Sequence, residues 1–354
     1  MEGGALWDDL YRNAEEEGLT APGGSFSKVG VAGQTLHGGY GWLCRRFGMT
    51  IDSLVGAEVV TATGEVLEVS ETSHGELLWA LKGGGGNFGV VAALEFEAQR
   101  IPETLDVVGA TYDAGQAKEV LRAFEAFMKT APEEFSAVAL LWTAPNRSLV
   151  PPAIQGQEVV TLWGCYYGSW EEGRKLVAPL FELGDLLGDL GGTMSFVELN
   201  RLFEPDYPSG DFYYWKSVYL EKLTEKVLDL LTEGQQSRPS DRTRIDLYAL
   251  GGAIAEVSPQ ETAYSHRSEP WMVVIEGHWT EAEESRENLQ WARQFFEKLW
   301  KYSAKAIYPN FPGLEEDPRS PDVLDKNNWR RLRRVKRKYD PENLFGDQSL
   351  LHSR

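Results

Sequence analysis

The sequence predicts an α+β fold in two parts, a glycine-rich unit at the front and an antiparallel sheet backed by helices behind it. Three observations carry that expectation. Eight glycines fall between Pro22 and Gly48 and a second group runs from Gly83 to Gly89. Five long, aromatic-rich strand candidates follow residue 101, and helical stretches with an apolar face alternate with them. The change of texture near residue 101 sets the expected boundaries at 1–100, 101–304 and 305–354.

Leu6, Leu10 and Ala14 recur at helical spacing, and Gly18 ends that first helix. From Pro22 to Gly48 the apolar period disappears, as it does where backbone must turn tightly or approach another group closely. Ala57–Ala62 and Glu65–Val69, joined at Thr63-Gly64, read as a hairpin, and Glu76–Leu81 reads as a short helix running into Gly83. A strand over Val90–Ala98 closes the first part. In the second part, helices are expected at Ala117–Thr130 and Trp170–Leu187, and strands at Ser136–Thr143, Val159–Tyr167, Tyr213–Leu220, Thr243–Leu250 and Trp271–Thr280. A turn-rich Tyr308–Asp325 then leads to a helix over Asn328–Tyr339, stopped by Asp340-Pro341.

A formal charge of −19 repels a phosphate backbone, and the basic run Arg330–Lys338 carries Leu332 and Val335 at helical spacing, which makes it a solvated helix face. Nucleic acid is therefore excluded as a partner. Cys44 and Cys165 are too few and too far apart for a disulfide framework or a Cys-x-x-Cys site. No basic start, signal-type apolar stretch or membrane-length run is visible, so a soluble cytoplasmic chain with no membrane partner is expected. Asn146-Arg147-Ser148 fits a glycosylation sequon that matters only in an exported protein.

Gly84-x-Gly86-x-x-Gly89 matches the dinucleotide fingerprint by letter, but a helix precedes it and a strand follows, the reverse of what lets a helix N-terminus hold a pyrophosphate. The Rossmann reading fails on that context. No Walker, His-Glu-x-x-His, EF-hand or Gly-x-Ser-x-Gly pattern is present. Two glycine-rich backbones without a clustered polar catalytic set suit a large planar cofactor held by main-chain amides, and they suit plain tight turns equally.

The ordered motifs add to this. Pro22-Gly23-Gly24-Ser25-Phe26-Ser27-Lys28-Val29-Gly30-Val31-Ala32-Gly33 continues through Gln34-Thr35-Leu36-His37-Gly38-Gly39-Tyr40-Gly41, and Phe47–Leu54 follows. Leu78–Val91 carries Gly83-Gly84-Gly85-Gly86-Asn87-Phe88-Gly89. Tyr308-x-Asn310-Phe311 and Asn328-Trp329-x-x-Leu332-x-x-Val335-Lys336-x-x-Tyr339-Asp340-Pro341-x-Asn343-x-Phe345, with Gln348-Ser349, close the chain. Over nearly its whole length the sequence resembles the berberine-bridge-enzyme-like family of FAD-linked oxidoreductases.

The resemblance implies a PCMH-type FAD-binding domain, present in its second half, a substrate-binding sheet over 101–304, and a C-terminal segment that returns to the flavin. It implies that Gly30, Val31, Gly33, Thr35, Gly38, Gly39 and Gly41 lie along the ribityl and pyrophosphate, that Asn87, Gly89 and Val91 run near the adenosine, and that Asn310 and Asn328 lie beside the isoalloxazine. Tyr40, His37 and Tyr308 are the candidates for substrate contact or base, each with ordinary packing as the plainer reading. The strands carrying Tyr213–Lys216, Glu276 and His278 would form a substrate wall, or simply pack.

Two departures qualify the match. The family's Arg-x-Gly-Gly-His-type loop, with its covalent histidine, has no counterpart here, and Phe26 stands where many relatives have a second covalent cysteine, so FAD is expected to bind non-covalently. The family's Tyr-Gly-x-Asn-Tyr is here Asp325-Lys326-Asn327-Asn328-Trp329. The expected activity is an FAD-dependent oxidase or dehydrogenase passing hydride from a small-molecule alcohol or amine carbon to flavin N5, with dioxygen as acceptor. The alternative is a flavin-free or truncated relative that binds a ligand or partner, whose uncovered face favours homo-oligomers.

Overall fold

The computed structural model describes residues 1–311, 313 and 326–346. Apart from Gly313, the turn-rich stretch expected between Phe311 and Asp325 lies outside the described residues, as do Gln348 and Ser349.

In chain order the elements are α1 (Trp7–Glu15), β1 (Leu19–Thr20), α2 (Val31–Leu36), α3 (Cys44–Phe47), β2 (Leu54–Val60), β3 (Val66–Ser70), α4 (Gly75–Leu81), β4 (Val90–Phe96) and β5 (Gln99–Arg100). There follow β6 (Leu105–Asp113), α5 (Ala117–Met128), β7 (Phe135–Thr143), β8 (Glu158–Tyr166), α6 (Trp170–Val177), β9 (Leu186–Asp189), β10 (Gly192–Met194) and α7 (Phe196–Arg201). The last are β11 (Phe212–Leu220), α8 (Glu225–Gln236), β12 (Arg244–Ala249), α9 (Ala253–Glu256), β13 (Trp271–Trp279), α10 (Ser285–Trp300) and α11 (Lys326–Tyr339).

The front of the chain forms the antiparallel sheet β3-β2-β4. Met1–Gly3 run along the outer edge of β4, with Gly3 N donating to Ala92 O at 2.7 Å and Leu94 N to Met1 O at 2.8 Å. Helix α1 buries Trp7 and Tyr11, four residues apart on one face, and Asp8 and Asp9 place negative charge on its first turn, where the helix dipole favours it. The glycine-rich stretch, expected to lack regular structure, contains the short helix α2. Val31, Thr35 and Leu36 turn into the core, and Thr35 Oγ1 donates back to Val31 O at 2.7 Å.

The large sheet has the order β10-β6-β8-β7-β12-β13-β11, with β9 also paired to β6, and every pair is antiparallel. Its central strands are buried on both faces, so they read as apolar runs rather than as an alternation. On one face Ala137, Ala139 and Leu141 of β7, with Val273 and Ile275 of β13, pack among Val120 and Phe124 of α5, Leu231 of α8 and Phe296 of α10. On the other face Val138, Leu140 and Trp142 of β7 and Trp163 of β8 join the core built from α1, β2 and α4. The sheet is thus the middle layer, with helices behind and the glycine-rich unit in front. The result is an α+β fold in which the glycine-rich front unit is set against an antiparallel sheet backed by helices. No helix among the described residues is long and apolar enough to cross a membrane.

Helix α11 returns to the front unit. Leu332 is fully buried in the core it shares with α4, Arg331 pairs with Glu76 and lies 3.9 Å from the Trp79 ring centroid, and His74 Nδ1 meets Tyr339 Oη at 3.1 Å.

Candidate functional site

A cavity of about 530 Å³ opens where the glycine-rich loop faces the front of the large sheet, within the size range of small-molecule and cofactor sites. One wall is the backbone of Gly24 to Gln34, with Gly30 and Gly33 presenting open space where a Cβ would project. The opposite wall is aromatic: Tyr213 and Trp215 of β11, Tyr248 of β12, and Tyr207 from the turn before β11. Tyr308, Asn310 and Phe311 close one end, and Phe26 lies with its ring 5.0 Å from that of Tyr207.

Strand register explains the sheet wall. Trp215 pairs with Glu276 and Glu276 with Arg244, so three adjacent strands present an indole, a carboxylate and a guanidinium in one row. Two positions along, Ser217, Val274 and Asp246 form the next row, and Tyr219, Met272 and Tyr248 the one after. Because side chains alternate, all three rows face the same way. Arg244 Nη2 donates to Asp246 Oδ2 at 3.1 Å, and its Nε lies 2.9 Å from Glu276 Oε2. The guanidinium also sits 5.1 Å from the Tyr207 ring centroid. Burial works against its charge, but Asp246 and Glu276 outweigh that and keep the group cationic. Burial raises Asp246 well above the ordinary carboxylate value, against the pull of Arg244. Tyr207 Oη donates to Glu276 Oε2, and Tyr248 Oη donates to Asp246 Oδ2 at 3.4 Å. Nearby, Lys28 pairs with Glu204 at 3.1 Å, and His278 Nε2 meets Asp211 at 2.7 Å.

The far end is closed by a segment that pairs with β11: Tyr219 N donates to Ala306 O at 3.1 Å and Ala304 N to Tyr219 O at 2.9 Å. Beyond it Tyr308 N donates to Ser217 Oγ at 2.9 Å, and Asn310 Nδ2 reaches Gln34 O at 3.2 Å and Tyr308 Oη at 2.9 Å. Asn310 therefore ties the closing segment to the glycine-rich wall.

Of the residues singled out from sequence, the structure brings Gly30, Gly33, Tyr40, Tyr308 and Asn310 to this cavity. The others lie around it or away from it. Val31 and Thr35 are buried in α2, and Gly38 and Gly39, with φ of +117° and +80°, form a turn packed on Met49, Tyr264 and Thr50. Gly41 packs on the Gly23 carbonyl. His37 turns back, its Nδ1 meeting Gly33 O at 2.9 Å, with its Nε2 edge against Gly85. Asn87 bonds to Gly84 O and accepts from Lys336 through its own carbonyl, while Gly89 packs on Val59 and Val60, and Val91 lies on β4. Asn328 is buried among the Pro259, Thr262 and Ala263 carbonyls, to which its amide donates.

Burial pushes the phenols of Tyr40 and Tyr308 above their ordinary value, with nearby Cys44 adding to the first and the Asn310 hydrogen bond working against the second. Tyr40 Oη donates to Ala249 O at 3.1 Å, which orients it away from a base's task. Motif reading overlooked Tyr207, Tyr248, Arg244 and Asp246. Their only sequence signal is a charged or aromatic residue inside or beside an otherwise apolar strand.

The donors present suit a flavin. The cavity lies between glycine backbone and aromatic rings, and Trp215 Nε1 has no hydrogen-bond partner among the described residues. Gly24 to Gln34 and Asn310 would hold the ring system from one side and Trp215 would face it or its substrate. The sequence model for an FAD binding domain matches residues 1–70, and that for berberine and berberine-like proteins matches 308–349. The FAD-linked oxidoreductase YgaK of Bacillus subtilis is 30% identical, over 98% of this chain and 75% of that protein. Chitooligosaccharide oxidase of Gibberella zeae is 29% identical, over 92% of this chain and 67% of its own length. The solved structure of BBE-like 1 from Physcomitrella patens superposes with a TM-score of 0.86 at 21% identity, covering all of this chain (100%) and 78% of that one, a likeness of fold. The chain belongs to the berberine-bridge-like FAD-linked oxidoreductases, is an FAD-dependent oxidoreductase, and takes FAD as its cofactor.

Proposed function

We propose that the protein is an oxidase for a hydroxylated small molecule of the oligosaccharide type, with FAD held non-covalently and dioxygen as the final acceptor. The carrying observation is the cavity wall. Tyr207, Tyr213, Trp215 and Tyr248 offer ring faces for the C–H faces of a sugar, and Glu276 and the Trp215 N–H, which has no partner among the described residues, offer polar contacts to its hydroxyls. The similarity to chitooligosaccharide oxidase supports the same substrate class. Bound FAD would supply the two-electron acceptor, taking hydride at N5. The chain's own residues would orient the sugar against the Gly24–Gln34 wall, exclude water with Phe26 and Phe311, and receive the hydroxyl proton. Tyr40, Tyr308 and Asn310 would shape and rigidify the closed end of the cavity.

The test is the visible spectrum of the purified protein before and after acid precipitation, with FAD added to any colourless sample, followed by oxygen uptake against panels of sugars, other alcohols and amines. Flavin bands released into the acid supernatant and uptake with sugars are expected. Bands that stay with the pellet would overturn non-covalent attachment, and uptake with amines alone would overturn the substrate class. A protein that takes up no FAD would favour a ligand-binding relative.

A further inference from the structure

The back of the molecule carries a second hollow, away from the cavity. Helices α8 and α10 pack on the large sheet through Leu231 and Phe296, and they meet where Gly234 faces Phe295. A Cβ on Gly234 would stand 2.7 Å from that ring, so the absence of a side chain is what lets the helices come this close. Beside the contact a groove of about 360 Å³ opens along the seam, within the size range of small-molecule sites. Glu287, Gln290, Trp291, Gln294 and Lys298 line one side of it, and Glu233 and Ser237 the other. The first set recurs at the spacing of one helical face, so α10 alone supplies that wall.

The chemistry of the groove is that of an uncharged, hydroxylated ligand. Glu233 and Glu287 are offset by Lys298 and by Lys226, which lies 4.0 Å from Glu233, so there is little net charge to attract an ion. Among the described residues no group of three His, Cys, Asp or Glu could hold a metal. Gln290 and Gln294 are exposed, and an amide both donates and accepts, as a sugar hydroxyl does. The half-buried Trp291 indole is steadied by Phe295, with ring centroids 5.5 Å apart and planes within 27°, and by its own Nε1, which donates to Ser237 Oγ at 3.3 Å. A fixed aromatic ring beside paired amides suits the C–H faces and hydroxyls of a sugar together.

We propose that this groove is a second saccharide site, which holds a stretch of a neutral oligo- or polysaccharide chain. The proposal rests on the substrate class put forward above. The large sheet lies between the groove and the cavity, so residues in the groove take no part in the chemistry. Their effect is to keep the protein on a larger saccharide, which raises the effective concentration of further chains at the cavity. Trp291 is the central contact, and Gln290 and Gln294 meet the hydroxyls.

Native electrophoresis through gels cast with hydroxyethyl cellulose, soluble starch or glycol chitin tests the site without any turnover. At a formal charge of −19 the protein runs toward the anode, and binding to the matrix appears as retardation against a gel without polysaccharide. Retardation by at least one of the three is expected, and added salt should leave it in place. Affinity read from mobility against polysaccharide concentration should fall by roughly 10-fold or more in Trp291→Ala. It should also fall in the double variant Gln290→Ala with Gln294→Ala, whereas Trp215→Ala, on the cavity wall, should be retarded like the wild type. The double variant changes exposed side chains alone, so it keeps the test usable if Trp291→Ala does not fold. A wild type that none of the three retards, retardation that salt removes, or wild-type affinity in the groove variants would each overturn the proposal. A protein retarded as expected that takes up no oxygen with any sugar leaves the groove standing and shows instead that the oxidase reading has failed.

Discussion

Arg244 is enclosed by two carboxyl groups and by the rings of Phe203 and Tyr207, at 5.4 and 5.1 Å from its guanidinium carbon. Its removal would leave Glu276 and Asp246, both buried, without their cationic partner. Arg244→Met should therefore lower unfolding free energy by about 3–5 kcal/mol, read from urea midpoints, because breaking a buried pair from one side leaves a charge uncompensated. Arg244→Lys should recover little of that, since an ammonium reproduces neither the fork nor the ring contact. A loss under about 1 kcal/mol in Arg244→Met would show that water or a shifted neighbour fills the gap. The two thiols give a second residue-scale expectation. Cys44 and Cys165 are both buried, and burial pushes the Cys44 thiol up to about 12. A thiol reagent should label neither in the native protein and both after unfolding; fast native labelling of either would contradict the packing around them.

At the scale of elements, a buried ion pair helps to fasten α11. Lys336 Nζ donates to Asp340 Oδ2 at 2.6 Å and to Asn87 O at 2.7 Å, while Asp340 accepts from Leu344 N and Phe345 N, both at 2.8 Å. Burial works to raise the Asp340 carboxyl, but Lys336 and the two backbone donors outweigh it and hold it below its ordinary value. A carboxyl lowered on folding adds stability that is present above its unfolded value and lost as the pH falls through the folded one. The wild type should thus lose more stability than Asp340→Asn between neutral pH and acid, with the difference closing below the ordinary carboxylate range; parallel curves in urea titrations would refute this. Lys336→Met should cost about 3–5 kcal/mol by the same logic as Arg244.

Elements also show what a sequence displays. The strands expected at Val159–Tyr167 and Trp271–Thr280 are β8 and β13 within a residue, because burial on both faces writes a continuous apolar run. The helix expected over Trp170–Leu187 stops at Val177: Pro179 has no N–H to continue the ladder, and Leu186–Asp189 instead pairs with β6. β6 runs unbroken from Leu105 to Asp113 but escapes notice because Gly109 breaks its apolar run in the sequence, at the point where Leu190 and Gly191 pack on the strand. In the site, Gly30, Tyr40, Tyr308 and Asn310 were legible because motifs keep them in order. The Arg244–Glu276 and Tyr207–Glu276 pairs span 32 and 69 residues, so no local spacing announces them; strand register brings the first together, and the turn before β11 carries Tyr207 to the second.

At the scale of the whole molecule, one layer serves two tasks. The back of the large sheet is ordinary apolar core against α5, α8 and α10, and the front carries the polar rows that face the cavity. Since neighbouring residues on a strand point to opposite faces, a change meant for the cavity alters the spacing of strands that the core also needs. Substitutions on Tyr207, which comes from a turn, should shift substrate preference at lower cost in stability than those on Trp215 of β11, and a panel of paired activity and melting measurements would check this; equal melting losses at the two positions would argue against it.

The closing segment has a consequence in time. Tyr308 and Asn310 join a wall begun by Gly24 to Gln34, and Asn310 holds to Gln34 across 276 residues of chain. During synthesis the glycine loop leaves the ribosome long before its opposite end exists, and contacts so distant in sequence form late. A nascent chain that ends before Tyr308 would hold an open trough instead of a closed cavity, so the cofactor's ring would meet its finished seat only near the end of translation.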